Sequence, residues 1–301
     1  MINFAGASAA LFGAALWAGA SIIFENISKK ISSARLNFYK GSFALMLLAV
    51  TSLILGERIP TINWNEISVL AISGVIGIAL GDTAYFQAVK KVGARRALTL
   101  FTLAPPMSAL IALIFLGEQL SLMTWIGIMI TVCGVIWVVT EESWDEKIQI
   151  KKEDLFPGIL FGALAALGQA TGVVMTRSVL TQTNLTTLQS TVVRLAPALV
   201  ALIIIIMIMG RGYEKLVKES IDKKLIGKVV LASIIGTYIC LWLQQIAIEN
   251  LQAGIAQTML STSPIFILPM VALRGEKISV RAINGAVLSI AGITLIFGLF
   301  R

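Results

Sequence analysis

The chain has 301 residues, of which 57% are hydrophobic and only 13% carry a charge. Soluble domains carry a charge on about a quarter of their residues, so this composition excludes a soluble domain and indicates several membrane spans. The net charge of +8 is therefore assigned to loops beside an anionic membrane surface rather than to nucleic-acid binding.

Ten apolar runs follow one another along the chain, and each approaches the roughly 20 residues that a helix needs to cross a bilayer. A membrane β-barrel would instead show alternating segments of about ten residues. The sequence therefore predicts an all-α membrane protein with ten transmembrane helices. Their expected ranges are 4–27, 34–55, 67–89, 96–116, 121–140, 155–177, 185–209, 226–248, 253–273 and 279–300.

Two long polar segments, 141–154 and 210–228, interrupt the apolar runs. The second segment places its apolar residues on one helical face and its lysines elsewhere. This pattern predicts a helix that lies on the membrane surface, with a solvated loop as the alternative. The apolar residues concerned are Tyr213, Leu216, Val217, Ile221 and Leu225.

The segment 106–138 recurs 158 positions later in the chain. In both copies an apolar run after a proline stops at Gly-Glu, a serine can cap the next helix, and that helix carries two glycines seven residues apart. This pattern predicts two five-helix repeats, residues 1–140 and 155–301, joined by a linker at 141–154. The matching residues are Pro106, Leu110, Gly117, Glu118, Ser121, Gly127 and Gly134 in the first copy, and Pro264, Leu268, Gly275, Glu276, Ser279, Gly285 and Gly292 in the second.

An odd number of spans in each copy carries the second copy through the membrane in the opposite direction. The two copies then form an inverted repeat with a pseudo-two-fold axis in the membrane plane. Inverted repeats can rock against each other in two nearly equivalent ways. This arrangement predicts alternating access to a substrate site between the repeats.

Lysine and arginine predict the orientation. Nineteen of the 24 lie in the loops after the first, third, fifth, seventh and ninth spans, whereas Arg58, Arg177 and Arg301 lie on the opposite side. Lys40 and Arg194 lie inside spans. The positive-inside rule therefore places the linker in the cytoplasm and both termini outside.

A family resemblance rests on the twofold Pro-x10-Gly-Glu-x2-Ser-x5-Gly-x6-Gly layout, on Trp17 in an alanine- and glycine-rich first span, and on a basic residue early in the second span of each half. In these features the chain resembles the ten-span EamA-like branch of the drug/metabolite transporter superfamily. The resemblance covers nearly the whole chain. It implies a carrier of small metabolites, often an exporter of amino acids or related solutes, in the cytoplasmic membrane. Many members have cytoplasmic termini, whereas the charges of this chain predict the opposite orientation.

Charged groups inside spans are the first site candidates, because each costs about 2.5–3.5 kcal/mol to insert at a helix centre. Lys40 and Arg194 lie at corresponding positions of the two halves and can attract a substrate carboxylate from two directions. The alternative is that they reach an interface or brace a helix. Asp82 is the candidate for a coupling proton or a substrate ammonium, with helix packing as the alternative. Glu25 is the second proton-coupling candidate, with an interfacial role as its alternative.

Polar and aromatic side chains near mid-span are the candidates for other substrate contacts. Tyr238, Trp242 and Gln245 share one face of the eighth run and are expected to face a central cavity, with packing against lipid or a neighbouring helix as the alternative. The remaining candidates are Trp17, Tyr85, Gln169, Gln257 and Ser261.

Prolines interrupt the two halves at matched positions. Pro105 and Pro106 in the fourth run and Pro264 in the ninth are expected to loosen their helices, because proline removes a backbone hydrogen bond. Loosened helices at matched positions of inverted halves point to a transport site.

The most probable function on these grounds is secondary-active transport, with export as the favoured direction. No G-x-x-x-x-G-K-[ST] motif occurs, so ATP is not expected to drive transport. Neither a cofactor nor a metal is expected, and the expected partners are a small-molecule substrate, membrane lipids and a coupling proton. A multidrug or organic-cation pump is the alternative. A membrane-embedded enzyme is less favoured, because the chain has no histidine and only Cys133 and Cys240 as thiols.

Overall fold

The computed structural model describes residues 3–28, 30–57, 63–139, 152–208, 223–273 and 279–297, and these residues form helices and short connections with no strand. Two of the helical segments, π1 (Val75–Asp82) and π2 (Ile234–Ile239), are π-helices. The α-helices are α1 (Phe4–Ser28), α2 (Ser33–Ile54), α3 (Trp64–Gly74), α4 (Thr83–Phe101), α5 (Ala104–Leu116), α6 (Leu122–Val139), α7 (Lys152–Leu180), α8 (Thr187–Ile208), α9 (Lys223–Ser233), α10 (Cys240–Asn250), α11 (Ala253–Leu260), α12 (Ser263–Ala272) and α13 (Val280–Phe297).

Six stretches of the described residues are long and apolar enough to cross a bilayer. Three shorter apolar helices accompany them, at Ala104–Leu116, Leu122–Trp137 and Val280–Ile296. The protein is therefore an all-helical, multi-pass membrane protein, as the sequence predicts. The six long stretches are Phe4–Phe24, Ser33–Ile54, Trp64–Val92, Glu153–Leu180, Thr187–Ile208 and Leu225–Asn250.

The first helix of each half packs against the other half. Helix α1 contacts α9 to α12, and helix α7 contacts α3, α4 and α5. Both helices present small residues on their contact faces, with Ala10 and Ala14 fully buried on α1 and Ala166 and Ala170 on α7. Small side chains let helix backbones approach closely, which is what holds helices together where lipid is as apolar as the side chains. The two halves therefore interlock through their first helices.

Helix α13 packs along α6 with the order of matched residues reversed. An added Cβ on Gly292 would lie 2.7 Å from the backbone oxygen of Gly127, and one on Gly134 would lie 2.6 Å from that of Gly285. In the sequence repeat Gly127 corresponds to Gly285 and Gly134 to Gly292, so exchanging the two halves turns one contact into the other. Thr131 and Ser289, which also differ by 158 positions, exchange side chain to backbone contacts of 3.4 and 3.2 Å.

Prolines follow a two-residue break in each half. Helix α4 ends at Phe101, and α5 starts at Ala104 with Pro105 and Pro106 in its first turn. Helix α11 ends at Leu260, and α12 starts at Ser263 with Pro264 as its second residue. Proline is tolerated in a first turn because its missing N–H would lack an intrahelical partner there.

The predicted boundary between the third and fourth runs is wrong. Residues 90–95 were expected to form a loop, but the helical stretch that begins at Trp64 continues to Phe101. Alanine, lysine and arginine favour helix, and a single glycine in this segment costs only about 1 kcal/mol. Helix α7 begins at Lys152, three residues before the predicted span, and Asp154 in its first turn pairs with Lys91 at 2.7 Å.

The Gly-Glu turn of the first half ends helix α5. Gly117 ends α5 with φ of 65°, the left-handed region that glycine adopts without strain. The Ser121 hydroxyl accepts a hydrogen bond from the backbone N–H of Thr124 at 3.1 Å, and Ser279 does the same for Ala282 at 3.1 Å, which confirms both serine caps. Gly275 and Glu276 lie outside the described residues, as do residues 210–222 of the predicted surface helix.

Glu118, the second residue of this turn, links distant helices. Its carboxylate pairs with Arg177 and accepts a hydrogen bond from the backbone N–H of Ala253 at 2.9 Å, at the start of α11. A carboxylate suits any helix N-terminus, and tertiary packing brings that of α11 within reach.

We predict that Gly292→Ala lowers the melting temperature of the protein in detergent, because the new Cβ would lie 2.7 Å from the Gly127 oxygen. Overpacking of this kind costs about 1–3 kcal/mol. Gly227→Ala is the matched control, since an added Cβ there meets nothing within 4 Å in helix α9. Its melting temperature should hold or rise. Fluorescence-detected size-exclusion chromatography after heating measures both, and equal stability of the two variants would contradict the close packing of α6 and α13.

Candidate functional site

A cavity of about 120 Å³ lies between helices of the two halves. One water needs about 10–15 Å³ by this kind of measure, so the cavity has room for a small solute. Residues from α1, α2, π1 and α4 of the first half meet residues from α7, α8, π2, α10, α11 and α12 of the second half at its wall. Eight of the residues singled out in the sequence line it, namely Trp17, Lys40, Asp82, Gln169, Arg194, Gln257, Ser261 and Pro264.

Lys40 is buried in an aromatic and acidic enclosure. Its side chain is 2% exposed, and its Nζ lies 2.5 Å from Oδ2 of Asp82. The ammonium also lies 5.6 Å from the ring centroid of Trp17 and 5.4 Å from that of Phe86, within the range of a cation–π interaction. A buried cation needs an opposite charge and hydrogen-bond partners, and Asp82 supplies both. The sequence singled out Lys40 and Asp82 separately, and the fold makes them a pair.

Arg194 is buried without a comparable partner. The side chain is 1% exposed, and its Nε and Nη1 have no hydrogen-bond partner among the residues that the structure describes. Its Nη2 lies where an added Cβ on Gly77 or on Gly172 would come within 2.8 Å. Glycine at both positions therefore leaves the space that the guanidinium occupies, and unsatisfied buried donors of this kind are costly unless something binds them.

The two cations occupy equivalent places. Lys40 is the eighth residue of α2, which starts at Ser33, and Arg194 is the eighth residue of α8, which starts at Thr187. The two helices have the same length of 22 residues and pack against each other, with Gly41 of α2 close to Leu199 of α8. The equivalence brings both charges to one cavity from two directions.

Three polar residues of the wall are linked to one another. Nε2 of Gln169 donates to Oε1 of Gln257 at 3.3 Å, and Nε2 of Gln257 reaches the hydroxyl of Ser261 at 3.5 Å. Ser261 lies in the break between α11 and α12, where the helix is interrupted. Amides and hydroxyls can donate or accept, so this part of the wall can adapt to a polar substrate group.

The aromatic and amide face predicted for the eighth run does not line the cavity. The Tyr238 hydroxyl is 2.7 Å from the Thr51 hydroxyl, Nε1 of Trp242 donates to Thr187 at 3.1 Å, and Oε1 of Gln245 lies 3.4 Å from the Ser190 hydroxyl. These contacts join π2 and α10 to α2 and α8.

The other predicted residues fall into two groups. Tyr85 packs between the rings of Phe86 and Phe101, at 5.7 and 5.4 Å between centroids, and Pro105 lies buried in the first turn of α5. Neither Tyr85 nor the Pro105–Pro106 pair is among the described residues of the cavity wall. Helix α1 includes position 25, but the Glu25 side chain lies outside what the structure describes.

A different stripe of the eighth run faces the cavity. Thr237, Cys240, Leu241 and Gln244 line the wall, and these positions also recur at helical spacing. Sequence reasoning missed them because the residues of this apolar helix do not show which of two adjacent faces points to the cavity. The hydroxyl of Thr237 is buried without a hydrogen-bond partner among the described residues, as are two nitrogens of Arg194. No group of three metal-ligating side chains occurs in the described parts of the chain.

Comparisons with known proteins agree with this architecture. A 102-residue stretch is 32% identical to an "Uncharacterized transporter" of Clostridium kluyveri and covers 34% of this chain and 32% of that protein. A 157-residue stretch is 26% identical to the "Uncharacterized transporter YcbK" of Bacillus subtilis (strain 168) and covers 50% of this chain and 49% of that protein. The alignments thus span about a third and about half of these relatives.

The fold matches a solved protein closely. A structure described only as "Crystal structure of protein" superposes with a TM-score of 0.79 at 15% identity, over 98% of this chain and 96% of that one. The family model of the EamA-like transporter family matches the sequence twice, at residues 4–140 and at residues 156–298. These two matches cover nearly all of the chain, which therefore belongs to the EamA-like transporter family.

Proposed function

We propose that this protein is a secondary-active transporter, working as an exporter, that moves small metabolites such as amino acids or related organic solutes across the cytoplasmic membrane. The observation that carries the proposal is the cavity between the two halves, which two buried cations from equivalent helices enter. A solute site near the interface of two repeats is the arrangement that alternating access requires.

The proposal includes ten spans in two inverted repeats. Three observations support it: the double family match, the pairing of α2 with α8, and the reversed glycine contacts between α6 and α13. When equivalent elements contact each other, a two-fold axis passes between them. The ten spans are the six long stretches, the three shorter apolar helices, and α11 with α12 taken together as one broken span.

Rocking of one repeat against the other needs places where helices can bend. The π-helices π1 and π2 lie about one repeat length apart, and breaks precede Pro105 and Pro264 at matched positions. A π-helix and a proline break both weaken the regular hydrogen-bond ladder and are frequent at functional sites. In the proposed mechanism these four positions take up the change between inward-open and outward-open forms.

A multidrug or organic-cation pump is the weaker alternative. The charged side chains among the described residues of the cavity wall are Lys40, Asp82 and Arg194, which sum to one net positive charge. A lining of this sign repels an organic cation and attracts an anion. A membrane-embedded enzyme is weaker again, because the family and both named relatives are transporters.

The proposed partners are the substrate, the surrounding lipids and a coupling proton, without ATP or nucleic acid. Asp82 is the proposed proton carrier, because it is an acid at the cavity and the chain has no histidine. Glu25 is retained as a second proton-coupling residue. The termini are proposed to lie outside and the linker at 141–154 inside, from the distribution of lysine and arginine.

We predict that the purified protein in liposomes exchanges a small anionic or zwitterionic metabolite, and that Arg194→Gln weakens binding of that solute by about 1.5–3 kcal/mol, the strength of a hydrogen bond to a charged group. Arg194→Lys keeps the charge but loses the planar fork of donors, so its affinity should lie between those of wild type and Arg194→Gln. Counterflow against a panel of amino acids, organic anions and organic cations measures transport, and calorimetry on monodisperse protein measures affinity.

Arg281→Gln, an exposed arginine remote from the cavity wall, controls for the loss of one positive charge. Unchanged affinity in Arg194→Gln would return Arg194 to a structural role. Counterflow of organic cations alone would favour the multidrug alternative.

We predict that Asp82→Asn weakens the dependence of transport on a pH gradient more than it weakens exchange of substrate for substrate. Asparagine has the size of aspartate but cannot take up a proton, so the coupled step should suffer most. Transport driven by a pH gradient and counterflow without one are compared in the same liposomes. Equal loss of both activities would assign Asp82 to packing.

We predict that cysteines introduced singly into residues 210–222 are shielded from an impermeant thiol reagent added to intact cells, because this basic segment is assigned to the cytoplasm. The chain used carries Cys133→Ala to remove the exposed thiol. Gln119→Cys, in the exposed turn after α5, is the control and should react. Labelling of the basic segment from outside would reverse the orientation and leave the inverted repeat intact.

A further inference from the structure

The two cations of the cavity are not equally available to a substrate. Lys40 already has a carboxylate partner, Oδ2 of Asp82 at 2.5 Å, and three aromatic rings within 6.0 Å of its ammonium. The lysine side chain is 2% exposed, so it cannot leave its partner for water without a change in the fold. Lys40 therefore has its partner before any solute enters. Asp82 also attracts Arg194, but one carboxylate cannot neutralise two cations.

Arg194 carries the positive charge that remains. Nε and Nη1 of its guanidinium have no hydrogen-bond partner among the described residues, although the side chain is 1% exposed and lines the cavity. A guanidinium nitrogen donates a charge-assisted hydrogen bond to a carboxylate oxygen, so an acidic group can satisfy either free nitrogen of Arg194. The net charge of the described wall is +1, and Arg194 has N–H donors without a partner. Both observations favour a ligand with one singly charged acidic group.

A substrate ammonium has no comparable place. Asp82 is the acid that lines the described cavity wall, and an ammonium bound to it would stand beside the Lys40 ammonium. Two ammonium groups on the same carboxylate would repel each other strongly in a medium of low dielectric constant. The amides of Gln169 and Gln257 are neutral and already contact each other.

We propose that the substrate of this cavity is an organic monoanion that has one carboxylate and no ammonium group. This inference rests on the proposed transport function and narrows it, because it places an organic acid above the amino acid of the same carbon skeleton. The carboxylate binds Arg194, and the body of the solute lies against Trp17, Phe101, Leu241 and Leu260 of the wall. A predominantly apolar wall with a few polar groups suits a solute with an apolar body and one polar end.

The first test compares headgroups on one body. The probes are 3-phenylpropanoate, phenylalanine and 2-phenylethylamine, which share a phenyl group and differ in carrying a carboxylate, both groups, or an ammonium. The purified full chain is heated in detergent with each probe, since a ligand of the folded state raises the melting temperature with its concentration. The series is repeated with 4-methylpentanoate, leucine and 3-methylbutylamine.

The carboxylates should raise the melting temperature of the wild-type protein. Each amino acid should need a concentration at least about tenfold higher than its carboxylate for the same rise. The amines should give no shift. An amino acid that binds as tightly as its carboxylate overturns the inference. Failure of both carboxylates to stabilise the protein overturns it as well.

The second test changes the ion pair. Lys40→Met leaves the Asp82 carboxylate without its partner, so this variant should gain affinity for phenylalanine and 2-phenylethylamine. The double variant Lys40→Met with Asp82→Asn removes both charges and is the matched control, which should keep the preference for 3-phenylpropanoate through Arg194. A Lys40→Met protein that folds and still rejects the amine contradicts the role given to the ion pair.

Asp82→Asn gives an independent measurement if Lys40→Met does not fold. It leaves two cations and no acid among the described charged residues of the wall, so a dicarboxylate with the same body, phenylsuccinate, should bind at least about tenfold more tightly to it than to wild type. An unchanged or reduced affinity for phenylsuccinate overturns the inference.

Counterflow in liposomes separates the two proposals. Preferred transport of phenylalanine refutes the monoanion and leaves the transporter, whereas binding of 3-phenylpropanoate without transport of any probe refutes the transporter and leaves the site.

Discussion

The burial of two positive charges between membrane helices is the constraint on which the centre of this protein depends. Lys40 and Arg194 are 2% and 1% exposed, and a charge in such a place is costly unless it is neutralised or bonded. For Lys40 the surrounding chain supplies a carboxylate and aromatic rings. For Arg194 the described part of the chain supplies space but no hydrogen-bond partner for Nε and Nη1, and this leaves the energetic demand for a ligand. Lys40 has a carboxylate partner and Arg194, at the equivalent position, has none among the described residues. This difference gives the described cavity wall its net positive charge.

Small residues are the second requirement, because they allow the helices to come close enough to enclose the cavity. Gly77 and Gly172 face each other across π1 and α7, with Nη2 of Arg194 beside both. Gly127, Gly134, Gly285 and Gly292 allow the same close approach between α6 and α13. Membrane helices gain little from hydrophobic burial, so close van der Waals packing holds them together. The same glycines that stabilise the bundle leave room for a buried guanidinium.

Irregular backbone is concentrated around the cavity. π1 ends at Asp82, π2 contributes Thr237, and the break between α11 and α12 contributes Ser261. Irregular backbone at membrane depth is tolerated where it lines a cavity or is covered by protein, since lipid cannot satisfy the freed polar groups. The polar residues of the site and the weakened helices are therefore parts of one feature. In the proposed transport cycle, this link lets a bound solute influence the helices that bend.

Much of the architecture was accessible from the sequence by itself. Hydropathy determined the all-helical membrane fold, and the repeated spacing of Pro, Gly-Glu and Ser revealed the duplicated layout. The cost of buried charge singled out Lys40, Asp82 and Arg194 as residues that need a partner. Only the tertiary structure decided that Lys40 takes Asp82 as that partner. It also decided that Thr237 and Gln244, rather than Tyr238 and Trp242, face the cavity. The physical reason is that a helix apolar on every side carries no hydropathy signal for its inward face, because lipid and protein interior are equally apolar, so contacts between distant helices make that choice.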